Sequence, residues 1–379
     1  MPTTNGAELI MAIMLSLQEV TKIYPGAEHI KAVDSLSFDL EEGEICTLVG
    51  PSGCGKTTAM KMINRLIPIT SGKILIDDQN INRMDTIELR RSIGYVIQNI
   101  GLFPNMTIAE NIATIPKLKG WDHDRIAEKV ESLLEIVNLP AEEFMGRYPR
   151  ELSGGQQQRI GVARGMAADP PIMLMDEPFG AIDPINREHL QDEFLKIQAK
   201  VKKTIVFVTH DINEAIKMGD KICLLKDGKL VQFASPEELL TEPANGFVRD
   251  FVGGDRTLKR LNLLKIKAAM KPDPPVIMQN ESPEKAKSML RELKLDHLIV
   301  VDNEKRLVGY VDQEALTKKA DEVGDVTQST DAFLPASSSL KDGLSEIFTY
   351  ELGYLIVVDE DKKVLGILRE EEIKAILRK

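Results

Sequence analysis

The chain has 379 residues, a formal net charge of -11, 43% hydrophobic residues and 28% charged residues. This length predicts two or three domains, and the acidic balance argues against a general nucleic-acid-binding protein, because the phosphate backbone attracts basic surfaces. No segment approaches the run of about 18 apolar residues that a spanning helix needs, so any membrane association is predicted to be peripheral. Cys46, Cys54 and Cys223 show neither zinc spacing nor a secretory context, which favours a reducing compartment.

Residues 1–13 are predicted as an N-terminal extension. The apolar segment from Leu9 to Leu17 is too short to span a bilayer and lacks the basic flank and small-residue cleavage site of a signal peptide. Met11 and Met14 are alternative translation starts, because the first predicted strand, LSLQEV, follows them directly. Tyr24 lies after that strand. It is ordinary by itself, although an exposed aromatic side chain there can stack on a nucleobase.

The segment from Glu44 to Thr58 is an apolar strand that leads into a glycine loop with the spacing GxxxxGK[ST]. The glycines allow successive N–H groups to point inward, and a helix starting near Lys56 directs its partial positive end to the same place. We expect Lys56 to reach the β- and γ-phosphates of a nucleoside triphosphate and Thr57 to ligate Mg²⁺. A glycine-rich turn without a ligand is the alternative, which the amphipathic helix after the loop disfavours. The predicted nucleotide-binding residues here are Gly50, Pro51, Ser52, Gly53, Cys54, Gly55, Lys56, Thr57 and Thr58.

Residues 14–252 alternate between apolar strand-like runs and helical patterns, which predicts an α/β domain with a largely parallel core sheet. The runs are LSLQEV, ICTLVG, KILIDD, IGYVIQ, PIMLMDE, TIVFVTH and ICLLKDG. IMLM and IVFV are apolar on both faces, as buried parallel strands should be. The helical patterns include DRIAEKVESLLEIV and the stretch from Arg187 to Val201.

Polar side chains stand at the ends of three of these runs: Gln98 ends IGYVIQ, Asp176 and Glu177 end PIMLMDE, and His210 ends TIVFVTH. Asp176 is placed to hold Mg²⁺ directly or through water, and Glu177 to polarise an attacking water. His210 can contact a γ-phosphate or orient Glu177, although a strand-end histidine alone is more often a satisfied polar group. Solvated strand-end charges are the alternative for the acidic pair, and the nearby phosphate loop disfavours it.

The segment LSGGQQQR, from Leu152 to Arg159, places Ser153 and two glycines at the start of a helix. This is a second anion-binding helix end, without a strand before it. We expect that it cannot easily share the site of its own phosphate loop.

The ordered set GPSGCGKTT, Gln98, LSGGQQQR, IMLMDE, AIDP and TH resembles the nucleotide-binding subunit of ATP-binding cassette (ABC) transporters over about Met14 to Val252. The resemblance implies a P-loop fold with a mixed, largely parallel core sheet and a helical subdomain. It also implies a head-to-tail homodimer, in which the start of LSGGQQQR closes over ATP held by the other subunit. The residues that would close this site are Ser153, Gly154, Gly155 and Gln156.

The same resemblance assigns roles to single residues. Tyr24 would stack on adenine, and Asp183 would be the acidic residue of a loop that spans the dimer. Gln98 would link Mg²⁺ and the attacking water to the transmembrane partner. The implied catalytic residues are Glu177, His210, Gln98 and Lys56, and the implied metal-binding residues are Thr57, Gln98 and Asp176.

The tail repeats itself, since His297 to Val311 (HLIVVDNEKRLVGYV) and Tyr354 to Leu368 (YLIVVDEDKKVLGIL) align without a gap. Each repeat is predicted as two strands with flanking helices, and each is too small to bury a core alone, so the two should pack together. Predicted helices precede them at Pro283–Leu293 and Leu340–Tyr350. Residues 253–275 are predicted as a linker, with residues 276–322 and 323–379 as the two modules.

The linker contains a basic stretch from Asp255 to Lys271 that proline residues end. We interpret it as a solvated linker helix. A surface that meets anionic lipid or an acidic partner is the alternative.

The duplicated tail resembles a pair of cystathionine-β-synthase-type (CBS) modules of α+β structure. An ABC domain followed by such a pair is similar to the ATPase of quaternary-amine osmoprotectant importers, which take up glycine betaine, carnitine, choline or proline betaine. This resemblance rests on KMINRLI, LRRSIGYVIQNIGLFPNMTI, YPRELSGGQQQRIGVARG and MDEPFGAIDPINR. It implies ATP hydrolysis with Mg²⁺ at the cytoplasmic face of the membrane. Residues from Gly101 to Ile112 would contact integral membrane permease subunits, and an extracellular substrate-binding protein would be an indirect partner.

The CBS modules depart from the pattern that usually holds a nucleotide ribose and phosphate, which has Ser or Thr and then Asp after the glycine. Here Gly309 leads to Asp312, and Gly366 leads to Arg369, which argues against simple AMP or ATP binding. Some relatives of this subfamily bind cyclic di-AMP between CBS modules of two subunits. The residues that would offer such a site here are Val276, Tyr354, Ile367 and Arg369. A module for dimerisation or ionic-strength sensing without a ligand is the alternative.

Three other functions were weighed against an osmoprotectant importer ATPase. A soluble ABC protein acting on ribosomes or DNA is disfavoured by the acidic charge and by the single ATPase cassette. A purely regulatory nucleotide sensor is disfavoured by the intact set Asp176, Glu177 and His210. An importer ATPase for another small solute stays open, because no residue of this chain would contact the solute.

Overall fold

The computed structural model describes residues 12–26, 30–98, 101–180, 182–350 and 352–378. Most of the predicted N-terminal extension, residues 1–13, therefore lies outside the described residues. The chain divides into two compact units, with the boundary between Val252 and Gly253. No helix in the described ranges is both long enough and apolar enough to cross a membrane.

The first unit contains the predicted alternation of strands and helices. Its strands are β1 (Ile13–Ile23), β2 (Lys31–Glu41), β3 (Ile45–Val49), β4 (Ser71–Ile76), β5 (Gln79–Asn80), β6 (Ile93–Val96), β7 (Ile172–Asp176), β8 (Thr204–Val208), β9 (Lys221–Lys226) and β10 (Lys229–Ala234). Its helices are α1 (Lys56–Ile63), α2 (Thr86–Ser92), α3 (Ile108–Ile112), α4 (Thr114–Leu118), α5 (His123–Ile136), α6 (Ala141–Phe144), α7 (Gly154–Met166), α8 (Pro184–Val201), α9 (Ile212–Met218), α10 (Pro236–Thr241) and α11 (Gly246–Val252). Every run that we predicted as a strand forms one, whereas β2, β5 and β10 were not predicted.

The core sheet has the strand order β10-β9-β3-β8-β7-β6. All neighbouring pairs are parallel except β10 with β9, which is antiparallel. Every residue of β8 and the first four residues of β7 are buried, as the two-sided apolar runs IVFV and IMLM predicted, and β3 is fully buried as well. The prediction of a mixed, largely parallel sheet is confirmed. Because parallel strands end at one edge, the residues that follow β3, β6, β7 and β8 come together there.

A second, antiparallel sheet with the order β2-β1-β4-β5 lies outside the predicted architecture. Its strand β2 alternates between buried and exposed residues from Leu36 to Glu41, which is typical of a strand with one face on the core. A hydrophobic cluster joins this sheet to β3 and to α1, with Leu15, Leu36 and Met60 fully buried in it. The cluster supports the strand and helix on either side of the glycine loop.

The predicted helical subdomain consists of α3 to α7. Helix α5 buries Ile126, Val130, Leu133 and Leu134, which recur every three or four residues along one face. These side chains share a hydrophobic cluster with Ile160 of α7. Helix α7 is thereby held with its N-terminal end, where Ser153 lies, at the surface.

The second unit contains two small sheets with flanking helices. Its helices are α12 (Arg256–Leu263), α13 (Ile266–Ala269), α14 (Pro283–Leu293), α15 (Leu340–Thr349) and α16 (Glu370–Leu377). Its strands are β11 (Lys271–Pro272), β12 (Val276–Met278), β13 (His297–Val301), β14 (Leu307–Asp312), β15 (Phe333–Pro335), β16 (Leu355–Val358) and β17 (Val364–Leu368). The sheets have the orders β12-β13-β14 and β11-β17-β16-β15. Helices α14 and α15 match the helices predicted ahead of each repeat to within one residue.

The two repeats pack against each other, as predicted. The amide of Leu307 donates to the Lys362 carbonyl at 2.9 Å, and the amide of Val364 donates to the Lys305 carbonyl at 3.1 Å. These reciprocal bonds join the hairpin turns of the two repeats. Ile299 and Ile356, at equivalent positions, are buried in one hydrophobic cluster between the sheets.

The interpretation of Asp255 to Lys271 as a solvated linker helix is wrong. Leu261 of α12 and Ile266 of α13 are buried, and they pack with Leu340 and Leu368 of the second repeat. Lys271 pairs with Ile367 in the sheet that contains β17. Leu261 and Ile266 are packed with residues 74 to 107 positions later in the chain, so local composition does not reveal their burial.

Candidate nucleotide site

The glycine loop connects β3 to α1, and two of its glycines lie close to backbone atoms of other segments. Gly50 has φ 150° and Gly55 has φ 102°. A Cβ atom at Gly50 would lie 2.1 Å from the Leu225 carbonyl oxygen, and one at Gly55 would lie 2.4 Å from the Ala32 carbonyl oxygen. Only glycine fits at these two positions, both because of the close approach and because of the positive φ.

Lys56 is the first residue of α1, and its side chain turns back into the loop. It is 7% exposed, and its Nζ donates to the Gly50 carbonyl at 2.8 Å and to the Pro51 carbonyl at 3.0 Å. The ammonium group therefore lies against the loop backbone, with both hydrogen bonds made to neutral acceptors. A phosphate oxygen would add a negatively charged acceptor, so that both partners of the hydrogen bond would be ionised.

A cleft of about 480 Å³ opens beside the loop. Its lining residues are Ala32, Ser52, Gly53, Cys54, Gly55, Lys56, Thr57, Thr58, Glu177 and His210. The cleft thus joins the loop to the ends of β7 and β8, as the parallel sheet requires. Tyr24 does not line it among the described residues. Tyr24 is 40% exposed, and the Lys22 Nζ lies 5.1 Å from the centroid of its ring.

Thr57 and Asp176 meet beneath the cleft, where the Thr57 Oγ1 lies 3.5 Å from the Asp176 Oδ1. Burial raises the pKa of Asp176, the positive charge of Lys61 opposes this rise, and the negative charge of Glu177 adds to it. Within the described ranges, no group of three or more His, Cys, Asp or Glu side chains could hold a metal. One hydroxyl and one carboxylate suit Mg²⁺, which usually takes one or two protein ligands and completes its shell with phosphate and water.

Three predicted catalytic side chains meet at Glu177. The Gln98 Nε2 donates to the Glu177 Oε2 at 2.9 Å, and the His210 Nδ1 lies 3.3 Å from the Glu177 Oε1. Glu177 has φ 43°, a left-handed backbone that costs about 1–3 kcal/mol in a non-glycine residue. Its own amide donates to the Val208 carbonyl at 3.0 Å, which ties this turn to β8. Each carboxylate oxygen is therefore contacted by a side chain from a different neighbouring strand end.

The segment LSGGQQQR forms the start of α7, as predicted. Ser153 caps the helix: the Gln156 amide donates to the Ser153 Oγ at 3.3 Å, and the Ser153 amide donates to the Gln156 Oε1 at 2.9 Å. Asp183 caps α8 in the same way, with the Asn186 amide 3.2 Å from its Oδ1. The first turns of α7 and α8 therefore both carry a side-chain cap.

A second cleft, of about 440 Å³, lies between these helix ends. It is lined by Ser153, Gly154, Gly155, Gln156, Arg159, Ile182, Asp183, Asn186, His189, Leu190 and Glu193. None of these lines the cleft at the glycine loop. The two predicted anion-binding ends therefore line separate clefts.

Known proteins match nearly the whole chain. A family model described as ABC transporter matches residues 33–180, and one described as CBS domain matches residues 266–322 and 323–379. The osmoprotectant import ATP-binding protein of Salmonella typhimurium is 46% identical over 95% of this chain and 95% of its own length. The glycine betaine/carnitine/choline transport ATP-binding protein of Bacillus subtilis is 47% identical over 96% of each chain. This chain belongs to the ABC transporter ATP-binding proteins with tandem CBS domains.

Two solved structures are similar to the ABC part of this ATP-binding protein. A dimeric ATP-binding cassette in a post-hydrolysis state, bound to ADP and Pi, is 36% identical, with a TM-score of 0.52 over 59% of this chain and 99% of that chain. A part of an ABC transporter complex from Clostridium perfringens has a TM-score of 0.56 at 24% identity, which shows the fold alone. The predicted family, fold class and ATPase identity are confirmed. The first CBS match begins at residue 266, ahead of the predicted module start at residue 276.

The CBS unit of the ABC ATP-binding protein brings the predicted regulatory residues into one region. Val276, Tyr354 and Ile367 belong to the hydrophobic cluster between the two repeats. Burial raises the pKa of Tyr354 to about 12, and the positive charge of Arg369 opposes this rise. The Arg369 amide donates to the Glu372 Oε2 at 3.0 Å, at the start of α16.

Residues near the nucleotide site were also missed by sequence reasoning. Ala32 lines the main cleft from β2, a strand whose alternating pattern gave a usable signal. Glu214 is buried in α9 behind His210, and it contacts Thr209 and Gln191. Its spacing of one helical turn from Met218, on the buried face of α9, was the signal that could have pointed to it.

Proposed function

We propose that this protein hydrolyses ATP to power the import of a quaternary-amine osmoprotectant: glycine betaine, carnitine, choline or proline betaine. The observation that carries the chemistry is the convergence of Gln98 and His210 on Glu177, beside the cleft of the glycine loop. The proposed solute class comes from relatives that match nearly the whole chain and are named for osmoprotectant, glycine betaine, carnitine or choline transport. An importer ATPase for another small solute is the second candidate.

In the proposed site, ATP lies along the loop from Gly50 to Thr58. The backbone N–H groups of the loop and the end of α1 bind the phosphates, and Lys56 exchanges its two carbonyl partners for β- and γ-phosphate oxygens. Thr57 and Asp176 would hold Mg²⁺, with Gln98 as a further ligand, and the ion would supply positive charge against the phosphates. Tyr24 supplies a stacking surface for adenine.

Glu177 is the proposed general base, which accepts a proton from water as that water attacks the γ-phosphate. Gln98 and His210 hold its two oxygens in place, so the carboxylate keeps one orientation during the reaction. No side chain has to form a covalent bond, since water is the nucleophile.

Two copies of the chain are proposed to pair head to tail. Ser153, Gly154, Gly155 and Gln156 of one subunit then close over ATP on the loop of the other, and Asp183 lies at the contact. The separation of the two clefts within one chain supports this arrangement, as does the dimeric state of the solved relative.

Permease subunits of the membrane are the proposed direct partners, which places the protein at the cytoplasmic face. A groove of about 360 Å³ beside β6 includes Phe103 and Leu118, which are exposed, and Arg164, whose Nη1 donates to the Gly101 carbonyl at 2.7 Å. An apolar groove can bind the apolar face of a helix, and Gly101 and Phe103 of the predicted contact segment, Gly101 to Ile112, line this one. A substrate-binding protein would act through the permease, and nucleic acid is not a proposed functional partner.

The CBS unit is proposed to regulate transport. Cyclic di-AMP, held at Val276, Tyr354, Ile367 and Arg369, is one proposed ligand, and ionic-strength sensing without a ligand is the alternative. We propose residues 14–252 as the nucleotide-binding domain, with module boundaries at residues 266–322 and 323–379 after the correction above. Calorimetry of the full chain with cyclic di-AMP decides between the alternatives, because a Tyr354→Ala, Arg369→Ala variant should lose any heat of binding.

Uptake by cells tests the proposed function. A strain that lacks this chain should lose accumulation of labelled glycine betaine, carnitine or choline, and the wild-type chain should restore it while Glu177→Gln should not. Purification in mild detergent should recover an integral membrane partner. Unchanged uptake of all three solutes, together with recovery of ribosomes or DNA, would overturn the proposal.

A further inference from the structure

Glu214 is a buried carboxyl group close to the nucleotide site that the proposed mechanism does not use. It lies in the first turn of α9 and is 8% exposed. A buried carboxylate is costly unless hydrogen bonds compensate the loss of water. Here the Thr209 Oγ1 donates to the Glu214 Oε2, and the Gln191 Nε2 donates to the Glu214 Oε1 at 2.9 Å. Both oxygens therefore act as acceptors.

The first of these bonds fixes the loop that carries His210. The Thr209 hydroxyl donates a hydrogen bond to Glu214 and accepts one from the Asp211 amide at 3.1 Å. The Thr209 amide donates to the Leu48 carbonyl at 3.1 Å, at the end of the strand before the glycine loop. The residues on both sides of His210 are thereby held, while the ring itself lies 3.3 Å from Glu177.

The second bond reaches α8, the helix that follows the loop of Asp183. Gln191 is buried on this helix, two turns beyond its start. One turn earlier, the Arg187 Nη2 donates to the Ile182 carbonyl at 2.8 Å, and its positive charge favours the ionised form of Glu214. The same carboxylate therefore anchors α8, whose first turn supports Ile182 and Asp183.

We propose that Glu214 is a positioning residue that, through Thr209 and Gln191, fixes the His210 loop against the start of α8 and so keeps His210 on Glu177. Glu214 does not touch the proposed substrate. Because Asp183 is proposed to lie at the subunit contact, Glu214 also connects that contact to the hydrolytic site. The inference rests on the proposed ATP hydrolysis.

The substitution Glu214→Gln tests it with little change of shape. A carboxylate accepts from both partners, whereas an amide has one acceptor oxygen and presents an NH₂ group to the other donor. We expect kcat for ATP to fall about 10- to 100-fold, since small displacements at a catalytic site cost rates of this order. The Kd for ATP should stay within about twofold, because the glycine loop is untouched. Glu135→Gln, the same change at an exposed position of α5, should match the wild type.

A double variant separates positioning from general damage. In the double variant Glu214→Gln, Gln191→Glu, the amide lies at position 214 and the carboxylate at position 191, so the contact is kept with donor and acceptor exchanged. The Thr209 hydroxyl then donates to the amide oxygen at position 214. We expect kcat to return to within about fivefold of the wild type. If Glu214→Gln fails to fold, Gln191→Leu removes only the bond to α8 and should lower kcat at an unchanged Kd.

The outcomes are distinct. A wild-type chain without ATPase activity would defeat the proposed function itself. With an active wild type, a folded Glu214→Gln variant of unchanged kcat overturns the inference, as does a double variant no faster than the single one. Unchanged kcat in Gln191→Leu also overturns it.

Discussion

The Nε2 atom of Gln98 lies 2.9 Å from the Oε2 atom of Glu177, although 79 positions separate the two residues in the chain. Gln98 follows β6 and Glu177 follows β7, and these strands are parallel neighbours at one end of the core sheet. Gln98 also leads toward Gly101, where the proposed permease contact begins. The hydrogen bond thus joins the proposed general base to the segment that would sense the membrane partner.

Replacing Glu177 by Gln should leave ATP binding intact and lower kcat by about 10²- to 10⁴-fold, the range that a general base supplies. The amide cannot accept the proton from water, while the phosphate loop and Lys56 still bind the nucleotide. Phosphate release measures the rate, and size-exclusion chromatography with ATP should show an accumulated dimer. Undiminished hydrolysis would remove Glu177 from this role.

Replacing Tyr24 by Ala should weaken ATP binding by about 5- to 160-fold, because stacking of a base on an aromatic ring contributes about 1–3 kcal/mol. Tyr24→Phe keeps the ring and should bind ATP like the wild type. Equilibrium binding of a fluorescent ATP analogue measures both variants. Since Tyr24 does not line the main cleft among the described residues, equal affinity for Tyr24→Ala and the wild type would refute its adenine role.

Alkylation of Cys54 should inactivate the ATPase, slowly at neutral pH and faster as the pH rises. Cys54 is 4% exposed, and burial raises the pKa of its thiol, although the charge of Lys56 opposes the rise. Because the thiolate is the reactive form, the rate should rise about tenfold per pH unit below that pKa. ATP should protect, since the adduct and the phosphates would occupy the same loop.

Cys54→Ala is the matched control for alkylation. Cys46 and Cys223 are fully buried in the core, so they should react later than Cys54. A Cys54→Ala protein that loses activity to the same degree under the same treatment would contradict the assignment of the reactive thiol.

Glu214 should make the stability of the first unit depend on pH. Burial raises the pKa of Glu214 above its ordinary value, with the bonds from Thr209 and Gln191 opposing the rise. The folded state then binds the proton more tightly than the unfolded state, whose glutamate pKa is about 4.3. The free energy of unfolding therefore falls as the pH rises from the unfolded-state pKa to the folded-state pKa of Glu214. Above the folded-state pKa it stops falling on account of this group.

Glu214→Gln lacks this titration, so it provides the comparison. The difference between the thermal midpoints of the wild type and the variant should change with pH across that window and level off above it. If the thermal midpoints of the two proteins change with pH in the same way across the window, the pKa of Glu214 is not raised on folding.

Local patterns were sufficient for much of the fold. The two-sided apolar runs at β7 and β8, and the three- to four-residue spacing in α5, are properties of neighbouring residues, and these elements form where they were predicted. Strand β2 was missed although its residues alternate between buried and exposed from Leu36 to Glu41. Leu261 and Ile266 were assigned to a linker because the residues that bury them belong to the second repeat.

The sequence alone determined the type of chemistry, since the spacing from Gly50 to Thr58 builds a phosphate-binding loop from consecutive residues. Only the tertiary structure decided which side chains share one carboxylate. Gln98 and His210 reach Glu177 because β6, β7 and β8 are neighbours in the sheet, and Glu214 reaches Gln191 because α8 and α9 pack together. Such contacts depend on strand order and helix packing, which join residues far apart in the chain and leave no local signal.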